Sequence, residues 1–343
     1  MSRTAVVLFN LGGPDAPAAV EPFLANLFSD PAIIALPNPL RWALARLIAR
    51  RRAPVAQQIY AHLGGASPLL ANTEAQACAL EAALGPEFRT FIAMRYWGPT
   101  SRVAADQIRE WRATRVVLLP LYPQFSSTTT GSSLRDWRRA ATAAGLDLPT
   151  AAVCCYPTEP GFIAALAAPL QQAIAAWPKA LPLRVLLSAH GLPQRVVARG
   201  DPYPWQIEAT AAALRAALDR PDLDCVVCYQ SRVGPLAWLE PATDAEIRRA
   251  GAAGIGLLVQ PIAFVSEHSE TLVELDIDYG RLAKEAGVPR YQRLPTVAAA
   301  ADFIAGLARL VTAAAGGGGA IYPDGGRRRC PAGFGLCPCG AAE

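Results

Sequence analysis

What this sequence lacks narrows the field before anything it contains. It has no run of about 18 uninterrupted apolar residues, so nothing in it reads as a membrane-spanning helix. Charge of neither sign dominates: 32 Lys and Arg stand against 28 Asp and Glu, a net +4. A nucleic-acid binder normally carries a concentrated basic stripe, so no nucleic-acid partner is expected. The opening "MSRTAVVLFNLGGPD" runs straight into an apolar, strand-like segment, without the basic start, long apolar stretch and small-residue cleavage site of a secretory signal. The expectation is a cytoplasmic protein. Eight cysteines in 343 residues are too few and too clustered for a disulfide framework, and in a reducing compartment they point to metal binding. Histidine is scarcer still, with three.

What is present reads as an α/β protein. Short runs rich in Val, Ile and Leu alternate with alanine-rich helical segments, the pattern of parallel strands joined by crossover helices. "TAVVLFNLGG", "RTFIAMRYWGP" and "RVVLLPLYPQFSS" supply strands in the first half. "LRVLLSAHGLP", "DCVVCYQSRVGP" and "GIGLLVQPIAFVS" answer in the same order in the second. The reading is two similar Rossmann-like domains whose parallel sheets face each other across a ligand cleft. Residues 1–150 form the first, 151–312 the second, and 313–343 a glycine linker, "AAAGGGG", with a cysteine-rich tail.

Four features could carry chemistry or binding. His190 stands where "VLLSAH" hands over to "GLPQ", at a strand tip; it is either a core imidazole satisfied by a hydrogen bond or the working group of a site. After "PIAFVS", with Ser266 as N-cap, Glu267, Glu270, Glu274 and Asp278 follow at helical spacing; the stripe is either a solvated acidic face or a path for a cation or departing protons. Imidazole and carboxylate together suit a divalent first-row ion such as iron or zinc, held by fewer than the four ligands of a closed structural site. In "NPLRWALARLIARRRAP", Leu40, Leu44, Leu47 and Ile48 recur among Arg41, Arg46, Arg50, Arg51 and Arg52. That segment is either an ordinary surface helix or a lip for an apolar, carboxylate-bearing ligand or an anionic membrane. Arg95, Tyr96, Trp97 and Trp238 near strand ends would suit a flat conjugated ligand, or simply fill the core. "FNLGGPD" lacks the glycine spacing of either nucleotide loop and is rejected as one.

The order of "LFNLGGPD", "YAHLGGASPLL", "MRYWGPT", "LYPQFSSTTTGSSL", "SAHGLP", "RGDPYP", "YQSRVGPLAWLEPATD" and "PIAFVSEHSETLVELDID" resembles that of the ferrochelatases, which insert ferrous iron into a porphyrin in haem synthesis. The resemblance runs nearly end to end. It implies that His190 is the active-site histidine and Glu270 its partner carboxylate, together meeting the substrate Fe2+. Glu274 and Asp278 would continue the acidic path. Asn10, Leu11, Arg52, Tyr60, Ser67, Tyr96, Gln230 and Trp238 match positions that line or approach the porphyrin. Two rival readings stand beside it, a chelatase for another metal and tetrapyrrole, and a non-catalytic porphyrin or iron carrier. Peripheral contact with the inner face of the membrane is compatible with the basic helix.

The tail "RRRCPAGFGLCPCGAAE" has few large apolar residues to order it by burial, but Cys330, Cys337 and Cys339 offer three thiolates beside Arg327, Arg328 and Arg329. A fourth ligand must come from the folded body. Cys225 and Cys228 on a strand, and Cys78 in a helical run, read as core. Adjacent Cys154 and Cys155 leave one free to face the tail, and Cys155 is chosen, with Cys154 as its alternative. The spacing resembles the [2Fe-2S] arrangement of a subset of ferrochelatases; tetrahedral zinc is the other possibility.

Overall fold

The computed structural model describes residues 3–317 and 320–340. The chain forms two compact units, Met1–Cys155 with Ala308–Pro323, and Tyr156–Leu307 with Asp324–Glu343. The division is therefore not linear: the segment after residue 307 joins the first unit, and the cysteine tail returns to the second.

In the first unit, β1 (Thr4–Asn10), β2 (Phe88–Met94), β3 (Arg115–Pro120), β4 (Thr150–Val153) and β9 (Ile321–Tyr322) form one sheet in the order β2-β1-β3-β4-β9, every pair parallel. All seven residues of β1 are buried, as expected of an interior strand of a sheet covered on both faces. Phe9, Phe91, Ile108, Leu118 and Trp137 pack in one core cluster, and Val20, Phe23, Tyr60 and Tyr96 in another. The basic helix is Leu40–Ala61, longer than its sequence pattern suggested and continuing past Pro54. Its buried stripe is Ala45, Ala49 and Ala53, small residues four apart that let the helix Val20–Phe28 approach closely. The larger apolar residues Leu40, Trp42 and Leu47 are left exposed.

In the second unit, β5 (Leu183–His190), β6 (Asp224–Gln230), β7 (Gly256–Pro261) and β8 (Tyr291–Arg293) form a sheet in the order β6-β5-β7-β8, again wholly parallel. The six strands expected from sequence are all present, and β2-β1-β3 and β6-β5-β7 follow the same order, so the likeness between the two halves of the sequence extends to topology.

Several sequence expectations change in detail. Strand β7 ends at Pro261, short of Ser266, and the acidic segment is a π-helix, Glu270–Asp278, that starts after Ser269 without a side-chain cap. Ser266 is therefore not an N-cap. Ala313–Gly316 complete the helix Ala301–Gly316 and are not linker; Gly318 and Gly319 lie outside the described residues. Cys78 is exposed on the helix Leu69–Leu84, whose buried residues include Ala77 and Leu80. That helix buries the polar Thr73 and Gln76 and leaves alanines and Cys78 outside, so its composition hides which face is inward.

Candidate active site

His190 is the last residue of β5, paired in register with Gln230 at the end of β6. The next residue has to be glycine. A Cβ on Gly191 would stand 2.7 Å from the Gln230 carbonyl oxygen and 3.3 Å from the Trp238 ring, so only a bare backbone lets the chain turn away here. The imidazole is thus fixed at the carboxyl end of a central strand, where open parallel sheets place ligands.

Its Nδ1 lies 2.8 Å from Glu270 Oε2. Burial works against a charged imidazole, but Glu270's charge and hydrogen bond, with the charge of Glu274 behind them, outweigh it and raise the His190 pKa above 6.5. Burial likewise opposes ionisation of Glu270, yet His190 and His268 hold its carboxyl well below the usual range. His190 and Glu270 therefore titrate as a pair. The His190 side chain remains 42% exposed. Since Nδ1 is taken by Glu270, Nε2 is the ring nitrogen left for chemistry.

The surroundings explain how the pair is held. Ser188 donates to Gln230 Oε1 at 2.8 Å, which turns the Gln230 amide nitrogen toward the Glu270 carbonyl at 2.9 Å and Glu274 Oε2 at 3.1 Å. Glu274 also accepts from the Ser231 amide at 2.8 Å, the Ser231 hydroxyl at 2.5 Å and the Tyr279 hydroxyl at 3.0 Å. Even with these donors, burial first and the Glu270 charge second raise the Glu274 pKa above 4.5. The surroundings thus push two neighbouring carboxyls in opposite directions, Glu270 holding its charge more firmly than Glu274. Glu274 and Asp278 border a cavity of about 590 Å³ that Trp238, Asp244, Arg248 and Tyr279 also line.

The π-helix keeps Glu270, Glu274 and Asp278 near one side, because four residues turn by about 327° at 4.4 per turn and by about 400° at 3.6, each close to a full circle. The Tyr291 hydroxyl donates to the Leu275 carbonyl at 2.7 Å and ties β8 to this helix. Glu267 does not join the stripe. It accepts from Arg293 at 2.6 Å and from the Thr296 amide at 2.9 Å, while Arg293 also pairs with Asp276. Its work is to tie β8 to the start of the acidic segment.

Sequence reasoning overlooked several partners. The His268 Nε2 is 3.7 Å from Glu270 Oε2 and its Nδ1 3.1 Å from the Ser266 carbonyl; two of the three histidines therefore flank one carboxylate, and the "SEHSE" spacing was the available signal. Phe264 stands edge-on to both His190 and His268. Tyr203, inside the quoted "RGDPYP", donates to the His190 carbonyl at 3.0 Å.

In the first unit, Asn10 closes β1, buried, with its amide nitrogen 3.0 Å from Thr73 Oγ1 and its Oδ1 accepting from the Leu11 amide at 2.8 Å. Leu11 and the ring of Tyr96 pack with Tyr60 in one cluster. The Tyr96 hydroxyl donates to buried Asp30 at 2.8 Å, where Arg95 arrives at 2.9 Å and Ser132 completes the knot. Ser67 is pinned by its amide to the Pro14 carbonyl at 2.7 Å. Arg52 sits over the Phe28 ring at 5.8 Å, and Arg46 over Trp42 at 4.1 Å.

In the tail, the Cys337 thiol is drawn down to about 3, first by hydrogen bonds from Cys330 and Cys339, with the Arg328 charge assisting. Cys330 and Cys337 are buried. Among the described residues no group of three or more His, Cys, Asp or Glu side chains is arranged as a metal site. Cys154 and Cys155 are both buried, their sulfurs 3.2 Å apart, whereas burial pushes the Cys228 thiol up to about 12. No helix among the described residues is long and apolar enough to cross a membrane.

The architecture has a solved counterpart. SirB from Bacillus subtilis with Fe3+ is similar to this chain at a TM-score of 0.50 and 12% identity, over 92% of this chain and 96% of that one. That likeness, with the two parallel sheets, defines the class as an α/β protein of two Rossmann-like halves. Sequence comparison goes further. The ferrochelatase of Phenylobacterium zucineum is 54% identical over 98% of both chains, and that of Caulobacter vibrioides 51% identical over 98% of this chain and 97% of its own. A family model described as ferrochelatase matches residues 3–315, and the chain belongs to the ferrochelatase family.

Proposed function

We propose that the His190–Glu270 pair is where this ferrochelatase takes protons from the porphyrin as ferrous iron enters. Membership of the family makes the chain a lyase that inserts Fe2+ into a porphyrin for haem synthesis. The observation that carries the site assignment is the 2.8 Å contact of His190 Nδ1 with Glu270 at the tip of a central strand. Insertion replaces two pyrrole protons by one metal ion, so the site must accept positive charge as the product forms. Neutral His190 can take a proton at Nε2, and Glu270, held as the carboxylate, favours the imidazolium that results. Glu274, whose pKa is raised, is placed to receive a proton next and stands at the border of the cavity. Asp278 continues the same path. Asn10, Leu11, Arg52, Tyr60, Ser67, Tyr96, Gln230 and Trp238 are assigned to the porphyrin. Purified protein supplied with Fe2+ and several porphyrins should form haem. Absence of turnover with all of them, with porphyrin still bound, would instead leave a carrier.

The donors of the tail fit a thiolate-bound cluster in type: Cys330, Cys337 and Cys339 meet around one sulfur beside Arg328. They would hold a [2Fe-2S] cluster with one further thiolate, and such a group supplies one-electron chemistry. Anaerobically purified protein is expected to be red-brown and to bleach on reduction. Stoichiometric zinc without acid-labile sulfide overturns this reading. A cytoplasmic enzyme resting on an anionic membrane through Leu40–Ala61 completes the proposal, because that helix leaves Leu40, Trp42 and Leu47 exposed among arginines.

A further inference from the structure

The helix Tyr203–Leu218 touches His190 at one end of its first turn and the cysteine tail at the other. The Tyr203 hydroxyl donates to the His190 carbonyl at 3.0 Å. One turn later Gln206, fully buried, donates from Nε2 to Cys330 Sγ at 3.1 Å. The loop that leads into this helix is gripped as well. The Leu336 amide donates to the Gly200 carbonyl at 3.1 Å. Gly200 has φ +94, and a Cβ there would lie 2.8 Å from the Gly335 nitrogen, so the tail rests on bare backbone. Buried Asp201 then accepts from the Tyr203 amide at 3.0 Å, fixing the first residue of the helix. The tail keeps its own shape through Arg328, which donates to the carbonyls of Cys330 at 2.9 Å, Pro331 at 2.9 Å and Phe334 at 3.1 Å.

We infer that Tyr203 and Gln206 are positioning residues that couple the folded state of the cysteine tail to the placement of His190. The tail holds the entry loop and Gln206; Gln206 and Tyr203 share a helical turn, which moves as one body; and Tyr203 holds the backbone from which the imidazole projects. The chain of contacts needs only that the tail be folded onto the helix, whichever metal or bond its thiols hold. It rests on the reading of His190 as the reacting imidazole.

The test uses the full chain and compares Tyr203→Phe, Gln206→Leu and the double variant. Tyr203→Phe is expected to lower kcat for iron insertion about fivefold, the scale of one lost hydrogen bond, with the porphyrin KM unchanged. Gln206→Leu is expected to do the same from beyond the reach of the imidazole, and the double variant to be no worse than Tyr203→Phe, since both act on one link. With three histidines in the chain, the ring resonances of His190 are readily assigned by NMR, and they should shift alike in both single variants at fixed pH. Arg328→Ala, which loosens the tail without altering the helix, is the companion variant should Gln206→Leu not fold; it should reproduce the NMR shift. Unshifted His190 resonances in the tail-side variant, or kcat losses that simply multiply, overturn the coupling. If His190 proves dispensable for turnover, the site reading fails while the NMR shift still reports the coupling by itself.

Discussion

The two units use one strand order and put different chemistry at the same place. Asn10 ends β1 and His190 ends β5, the second strand from the edge in each sheet and the middle one of β2-β1-β3 and of β6-β5-β7. Asn10 is 5% exposed and its amide is engaged at both ends, by Thr73 and by the Leu11 backbone. His190 is half-exposed, with one ring nitrogen held and the other left over. The acids differ in the same way. Asp30 of the first unit is closed in by Arg95, Tyr96 and Ser132, which with a backbone hydrogen bond lower its pKa against the effect of burial. Glu270 faces imidazoles, groups that can give their charge up. A repeated scaffold thus supplies equivalent strand tips, and the partners offered there decide whether a charge is locked or usable.

The largest effect that sharpens this contrast is expected from His190→Ala. Losing a positioned proton acceptor should cost about 10²–10⁴ in kcat, with far-UV circular dichroism and the denaturation midpoint close to wild type. Turnover near wild type would break the comparison at its main point. Asp30→Asn should do the opposite. It leaves the half-buried Arg95 guanidinium with only Asp136, 3.7 Å away, as its charge partner, a loss of about 1–3 kcal/mol in unfolding free energy measured by denaturant titration. An Asp30→Asn protein as stable as wild type would mean that the first unit does not lock its charge.

Much of this was legible in sequence because six strands are apolar runs bounded by glycine, proline or polar clusters, and His190 falls at such a boundary. What escaped was set by tertiary contacts. Strands β4, β8 and β9 have four, three and two residues, too few for a period, and exist because a sheet edge awaits them. The π-helix was invisible because spacings of three and four serve either helix. Glu267 looked like one more acid of the stripe because its partner, Arg293, lies 26 residues away. His268 escaped although "SEHSE" sets it two residues before Glu270, because a lone imidazole in a loop is as readily a solvated side chain as a partner.

Glu270→Gln probes the usable charge more gently. Removing the carboxylate leaves burial opposed only by the charge of Glu274, so the imidazole pKa falls from its raised position. If neutral His190 is the acceptor, the acid limb of kcat/KM moves to lower pH while the plateau drops. Linkage gives the same sign for stability. The raised His190 contributes fully below about 6.5 and loses its contribution as pH rises through its folded pKa. The depressed Glu270 contributes above about 4.5 and loses it as pH falls through its folded pKa. The stability gap between wild type and Glu270→Gln should therefore be widest between about pH 4.5 and 6.5. A gap that instead grows above pH 8 contradicts the pairing. Glu267→Gln, whose carboxylate is committed to Arg293, should cost less rate than Glu270→Gln.

The smallest expected effect separates the outer surfaces of the two units. In the first, Leu36, Leu40, Trp42 and Leu47 are exposed close together in sequence, and Arg46, Arg50, Arg51 and Arg52 are interleaved or follow within two turns. In the second, three of the four exposed large apolar residues among the described residues, Val233, Leu236 and Ile277, lie on segments that carry acids nearby, Glu240, Asp276 and Asp278, and the fourth, Leu336, stands alone in the tail. Anionic lipid should therefore attract the first surface and not the second. A single basic residue near such a membrane is worth about 1 kcal/mol, so Arg46→Gln should weaken vesicle binding roughly fivefold at low salt. Trp42→Ala should weaken it further by removing apolar area that salt does not screen. Raising the ionic strength to about 1 M shortens the screening length to about 3 Å and should erase the Arg46 difference while leaving the Trp42 one. Flotation with phosphatidylserine vesicles reads both. Equal binding by wild type and Arg46→Gln at low salt, or none by either, would return this helix to an ordinary solvated surface.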